Sequence, residues 1–301
     1  MLRWILVLAL SLGGAASAEA AGGVIDRHVP IISYVTFSSL DPTRPLAVGG
    51  HLRVPADAEG ALPAVVIVHG SGGVDSRGAF YAEALNGAGI ATLEIDMWAA
   101  RGWLAGISGR PGGVPETLPD AYGALKFLTD VRLPSGEPRF DPARIGIMGF
   151  SWGGVVSMLT ATTPYAHLGG GLKFAAHAPN YPVCWVYNRI PGYGFNSFTG
   201  APVLIQAGEL DTYDLPDTCP DLVHSLPAAA AQQFISVVVY KHATHAWDRL
   251  QPAITVIDPF SHLGQGGEVD FVPNPGVARR SRQASVEFFQ RAFGLGGRGN
   301  E

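Results

Sequence analysis

Strand-length and helix-length segments alternate along the 301 residues, and this predicts one α/β domain on a doubly wound, mostly parallel sheet. Three observations carry the prediction. Ala64-Val65-Val66-Ile67-Val68 and Phe234 to Tyr240 are continuous runs rich in β-branched residues, the pattern of strands buried on both faces. Helical segments at Ala79 to Ala88 and Leu118 to Val131 lie between the strands. The apolar run Arg144 to Met148 turns through Gly149-Phe150-Ser151-Trp152-Gly153-Gly154 into a helical run, Val155 to Thr160.

Taken in order, Ile31 to Ser38 and Val48 to Val54 read as an antiparallel pair at the sheet edge, separated by Asp41-Pro42 and Arg44-Pro45 turns. The Ala64 to Val68 strand ends in His69-Gly70-Ser71-Gly72-Gly73. Ile90 to Ile95 follows as a strand, and a Gly- and Pro-rich loop from Trp98 to Glu116 then overhangs the strand ends with Trp98, Arg101, Trp103 and Arg110. Phe174 to Ala178 and Val203 to Ala207 are further strands. Pro227 to Gln233 is helical in composition, and Phe234 to Tyr240 is the last central strand. Gln251 to Pro275 reads as a long loop, and Val277 to Phe293 as an amphipathic helix with Phe288, Phe289 and Phe293 inward.

Composition narrows the function. Hydrophobic residues make up 47%, enough for a sizeable core, whereas charged residues make up 15% and the net charge is -5. No run of Lys or Arg is present, so a small-molecule partner is expected and nucleic acid is not.

The N-terminus has the layout of an export signal. Arg3 precedes a short apolar stretch, Trp4 to Leu12, and Ala16-Ser17-Ala18 or Ala18-Glu19-Ala20 supplies a small-x-small cleavage site. Residues 1–20 are thus expected to be removed, leaving 21–301 as a single domain in the periplasm or outside the cell. The rival is a membrane anchor, but the apolar run falls short of the ~20 residues a span needs, so no stable insertion is expected after cleavage. Cys184 and Cys219 are the two cysteines, and in an oxidising compartment they are expected to pair; two separately buried thiols are the alternative. Closing that loop would stabilise the fold by about 4 kcal/mol in the chain-entropy account.

The chemistry sits at the strand ends. Gly149-x-Ser151-x-Gly153 between strand and helix is a nucleophile elbow, in which a strained turn lifts the serine hydroxyl above the sheet. Its rival is a serine that merely caps the helix. After the Val203 to Ala207 strand comes Gly208-Glu209-Leu210-Asp211-Thr212-Tyr213-Asp214, and a carboxylate here can orient an imidazole. Asp211 is the first choice, then Asp214, then Glu209. After Tyr240 comes Lys241-His242-Ala243-Thr244-His245-Ala246-Trp247-Asp248. His245 is the preferred base and His242 the fallback; no ligand cluster around them suggests a metal. The Gly-rich turn at residues 69–73 suits backbone donation to an oxyanion, since it lacks the Lys and Ser or Thr of a phosphate-binding loop.

Assembled, these motifs resemble the dienelactone hydrolase family of the α/β-hydrolase superfamily. The resemblance rests on residues 69–73, Asp96-Met97-Trp98 to Arg101-Gly102, residues 149–154, Gly208 to Asp211 and His245-Ala246-Trp247. It implies a mostly parallel eight-stranded sheet flanked by helices, and a nucleophile, acid and base at Ser151, Asp211 and His245. An oxyanion hole is then expected from the Trp152 N–H and an N–H of Ser71 or a glycine neighbour such as Gly72. The expected reaction is cofactor-free hydrolysis of carboxylic esters or lactones. Founding members use Cys as nucleophile, where this chain has Ser151. The family's type substrate is an anionic lactone held by arginine, which makes Arg101 a candidate substrate contact, with Trp98 beside it. Amide hydrolysis and acyl transfer use the same triad, and an exported, non-catalytic binding protein is the reading from a different class.

Overall fold

The computed structural model describes residues 29–56, 58–102, 110–226 and 233–295. The export signal of residues 1–20, Trp103 and most of the helix expected at 227–233 lie outside these residues.

Eight strands form one sheet in the order β1-β2-β4-β3-β5-β6-β7-β8. They are β1 Ile31–Ser38, β2 Ala47–Val54, β3 Leu62–Val68, β4 Ala91–Asp96, β5 Phe140–Phe150, β6 His177–Asn180, β7 Val203–Gly208 and β8 Ile235–Tyr240. β1 and β2 are antiparallel at one edge, as their turn-flanked sequences predict. From β4 to β8 every pairing is parallel. The carboxyl ends of β3, β5, β7 and β8 therefore share one edge of the sheet, where α/β proteins place their ligands.

Both faces are covered, which is why β3 is buried along its whole length. Ala64, Val66 and Val68 join the core on one face with helices α2 (Leu118–Asp130) and α3 (Trp152–Thr160). Val65 and Ile67 face the other side with α1 (Ser76–Gly87) and the terminal helix Pro275–Ala292. That helix starts where Asn274 accepts a hydrogen bond from Val277 N, with Pro275 in the first turn, and it buries Phe288, Phe289 and Phe293.

Two expectations are corrected. The segment Gln251 to Pro275 is not a plain loop: β9 (Ile254–Asp258) and β10 (Gly267–Phe271) pair in register as an antiparallel hairpin. Val269 is buried and Val256 and Phe271 pack half-buried against the core, so the hairpin lies on the surface of the fold and is defined by its pairing. The strand expected at Phe174 to Ala178 begins at His177. Phe174 instead packs against Tyr122, and ladder pairing starts only at His177 with Ile147.

Candidate active site

Ser151 occupies the sharp turn between β5 and α3, with φ 52° and ψ -110°, a conformation unusual for any residue with a side chain. Its N–H donates to Asn180 O at 3.0 Å, which ties the elbow to the end of β6. The two flanking glycines are required by backbone contact. A Cβ on Gly149 would lie 2.2 Å from Gly153 O, and one on Gly153 would lie 2.1 Å from Val68 O. With the chain in this turn, α3 begins at Trp152, whose N–H is one of the first amides of a helix and has no carbonyl a turn earlier to bond.

The acid and base expectations resolve through hydrogen bonding. His245 Nδ1 donates to Asp211 Oδ2 at 2.7 Å, and both side chains are buried. Asp211 Oδ1 also accepts from Tyr213 N at 3.0 Å, which fixes the carboxylate plane. The imidazole lies among three rings, Tyr213 at 4.4 Å, Tyr181 at 4.7 Å and Phe271 at 5.3 Å between centroids. With Nδ1 protonated toward Asp211, Nε2 is the lone-pair nitrogen, and it makes no hydrogen bond in this structure. The structure thus brings Asp211 and His245 together and leaves Ser151 unbonded to Nε2. Such a bond commonly tightens only when substrate closes the site.

The rival residues are engaged elsewhere. Asp214 accepts from Cys184 N at 2.6 Å and Trp185 N at 2.8 Å; burial and the neighbouring Asp211 charge push its carboxyl up to about 7. Glu209 accepts from His242 N, and the His242 side chain is 84% exposed. Cys184 and Cys219 are joined in a disulfide.

On the oxyanion side, Ser71 lines a cavity together with Ser151 and Trp152, whereas Gly72 is exposed and is not part of that wall. Gly73 N bonds Gly70 O and closes the turn. His69 Nε2 accepts from Met97 N at 3.0 Å, so Nδ1 is the protonated nitrogen and donates to Gly70 O at 2.7 Å. Burial of this neutral, doubly bonded ring pushes its pKa down to about 4.

Trp98 and Arg101 do not meet the cavity. Trp98 is buried behind it, donating from Nε1 to Ser71 O at 3.1 Å and packing on Trp152 and His69, so it steadies the turn. Arg101 is taken by Asp120, with Nη1 2.6 Å from Oδ2, and by the Met97 and Glu116 carbonyls. The helical residue Asp120 is wholly buried, and a buried carboxylate captures the nearest guanidinium before a substrate can.

The cavity measures about 430 Å³, and its wall is mainly apolar, with Val155, Val183, Val186, Ile190, Tyr193 and Phe260 prominent. Phe260 and Asp258 belong to the hairpin segment, which docks on the acid loop through His262 N to Thr212 O and Leu263 N to Tyr213 O. Trp152 lines the cavity, and Trp185 donates from Nε1 to Phe260 O at 3.1 Å.

Sequence reasoning missed a buried polar network behind His245. Arg77 Nη1 donates to the Tyr181 hydroxyl, which donates to Asp248 Oδ1; Tyr81 donates to Asp248 Oδ2. Asp248 sits three residues after His245 in an otherwise apolar stretch, and that was the signal available. Arg110 and Asp258 at the cavity wall were also missed as a pair, because they lie 148 positions apart and only the hairpin brings them within 3.9 Å.

The profile of the dienelactone hydrolase family matches residues 48–293. No curated protein matches. Among solved structures, the chain is similar to a dienelactone hydrolase from Anabaena variabilis at 21% identity and TM-score 0.54, over 88% of this chain and 99% of that one. It is similar to an esterase of the planctomycete Thermogutta terrifontis at 15% identity and TM-score 0.59, over 91% and 96%. A dienelactone hydrolase-like promiscuous phosphotriesterase from metagenomic libraries aligns at 17% identity and TM-score 0.59, over 87% and 98%. At these identities the structures speak for the fold, an α/β hydrolase, while the profile runs from β2 to the terminal helix and leaves out only β1 of the sheet. On that match, the chain belongs to the dienelactone hydrolase family.

Proposed function

We propose that this chain, a carboxylic ester hydrolase of the dienelactone hydrolase family, works through an acyl-enzyme on Ser151, with His245 as base and Asp211 as its orienting acid. The observation that carries the reading is the 2.7 Å bond from His245 Nδ1 to Asp211 Oδ2, which leaves Nε2 as the lone-pair nitrogen with no hydrogen bond of its own.

In the acylation step Nε2 takes the Ser151 proton as Oγ attacks the acyl carbon. The negative oxygen of the tetrahedral intermediate is held by the Trp152 N–H and by an N–H of the Ser71 turn. The imidazolium, stabilised by Asp211, then protonates the leaving alkoxide. Water, deprotonated by Nε2, attacks the acyl carbon, and release of the carboxylic acid restores Ser151. Lactones follow the same course, with the alkoxide remaining tethered to the acyl group.

Export of the chain is part of the proposal: residues 1–20 act as a cleaved signal, 21–301 fold as one domain, and the periplasm or exterior is the working compartment. The disulfide supports this reading, since such bonds persist in oxidising compartments. No helix among the described residues is long and apolar enough to cross a membrane. The mass of the protein recovered from its host's envelope or medium tests it, and an intact N-terminus would overturn it.

An esterase from Thermogutta terrifontis has been captured phosphorylated by paraoxon. The same reagent tests the nucleophile here. Incubation should add one diethylphosphoryl group to the Ser151 peptide and none to Ser151→Ala, which should also lose ester hydrolysis by several orders of magnitude. Modification elsewhere, or an unchanged rate in Ser151→Ala, ends the reading.

A further inference from the structure

The cavity beside Ser151 carries its own statement about substrate charge. Among the described residues, the ionic side chains on its wall are Arg110, Glu116 and Asp258, one cation against two carboxylates. Arg110 is not free: its guanidinium lies 3.9 Å from Asp258 Oδ2 and over the Trp152 ring at 5.7 Å, with its side chain only 11% exposed. Asp258 is 8% exposed at its side chain and also bonds the Tyr213 hydroxyl. Glu116 holds its carboxylate on Gly113 N at 3.1 Å. Arg101, the other arginine of this loop, is bound to Asp120 away from the cavity. The remainder of the wall is mainly Val, Ile, Pro and aromatic surface.

We propose that this cavity selects a neutral, apolar acyl group and rejects one bearing a carboxylate, and that Asp258 sets the selection by neutralising Arg110. This rests on the hydrolase reading above. A carboxylate entering the cavity gives up its hydration, meets a surplus of negative charge, and must compete with Asp258 for the one guanidinium. An aliphatic group of the same shape gives up nothing and buries apolar area. Specificity of this kind is carried by an unfavourable juxtaposition as much as by a favourable contact.

The test compares the mono-nitrophenyl ester of adipic acid with the ester in which an isopropyl group replaces the terminal carboxylate. The two acyl groups match in shape and differ in charge. In the mature protein the neutral ester should be favoured in kcat/KM by about 20-fold or more. Asp258→Asn releases Arg110 without changing the side chain's size, and should move the ratio toward the anionic ester by about tenfold. Adding Arg110→Gln should remove that gain. Glu116→Gln, which keeps the bond from Gly113 N, should move the ratio the same way by a smaller factor and serves if Asp258→Asn does not fold. Ser151→Ala is the control. Loss of Ser151 dependence for both esters overturns the hydrolase reading. Ser151-dependent turnover that favours the carboxylate, or a ratio unmoved by both Asp258→Asn and Glu116→Gln, overturns this proposal alone.

Discussion

Tyr181 stands edge-on to the His245 imidazole with ring centroids 4.7 Å apart, and its hydroxyl is fixed between Arg77 Nη1 at 3.1 Å and Asp248 Oδ1 at 2.6 Å. Arg77 also lies over the Phe150 ring, one residue before Ser151, and its Asp75 partner caps α1 just past the Gly-rich turn. One network therefore touches His245, the Ser151 elbow and the Gly-rich turn together. Burial pushes the Asp248 carboxyl up, and Arg77 with the two tyrosine hydroxyls opposes this.

Removing the Tyr181 hydroxyl strands two buried groups. Tyr181→Phe should cost about 1–3 kcal/mol of stability. It should also lower kcat about tenfold with KM nearly unchanged, because the imidazole loses a fixed neighbour while the cavity wall is untouched. Denaturant unfolding and steady-state kinetics on one ester check both. An equal loss in kcat and affinity would mean that the network shapes the cavity instead.

The Ser151 backbone trades stability for reactivity. At φ 52° and ψ -110° a side chain is strained, and glycine is not. Ser151→Gly should abolish activity and raise stability by about 1 kcal/mol, read as a higher urea midpoint at unchanged slope. Ser151→Ala keeps the Cβ and should lose activity without the gain.

Buried histidines and carboxylates pull stability in opposite directions with pH. His69 is held down to about 4 and His177 to about 3, both by burial. Each folded pKa lies below the unfolded value, so their contribution is full above about pH 6.5 and is lost as pH falls toward those values. For His69 the full swing is about 3 kcal/mol. Asp214 works the other way: burial raises it to about 7, so its contribution is lost as pH rises from the unfolded carboxylate value through 7. Thermal unfolding of His69→Gln should show a flatter loss of Tm below pH 6.5 than the parent. Asp214→Asn should flatten the decline toward pH 7.

The Cys184–Cys219 bridge bears on function as well as stability. Cys184 is the neighbour of Val183 and lies near Val186, both in the cavity wall, and Cys219 lies on the helix after the acid loop. Cys184→Ser with Cys219→Ser should cost up to about 4 kcal/mol, the chain-entropy figure for this loop. KM for an ester that fills the cavity should rise, while kcat falls less. Unchanged unfolding with and without reductant would refute a stabilising role.

The elbow and the general plan of the fold were legible because they are local. A β-branched run, a Gly-x-Ser-x-Gly turn and a helix follow one another in the chain, and each is dictated by propensity and by where glycine is required. The edge pair, most of the central strands and the inward phenylalanines of the last helix were legible for the same reason. Choosing Asp211 over Asp214 was a matter of position after β7, and only hydrogen-bond geometry separates them: one carboxylate turns to His245 and the other to the backbone of Cys184 and Trp185.

What tertiary structure alone decided is how the charges pair. Arg101 and Arg110 share one loop and one chemistry, and nothing in their neighbourhood along the chain tells them apart. Folding delivers Asp120 to the first and Asp258 to the second, one from a buried helix and the other from a hairpin far along the chain. Tyr181 is likewise brought to His245 across the sheet, one following β6 and the other β8 with β7 between them, not by sequence. Side-chain electrostatics falls off over a few ångströms, so a residue's partner is set by distance in space, whereas strand, turn and helix are set by neighbours in the chain. Local pattern in the chain was enough for the sheet and for where the candidate site lies; folding settled which carboxylate bonds His245 and which arginine lines the cavity.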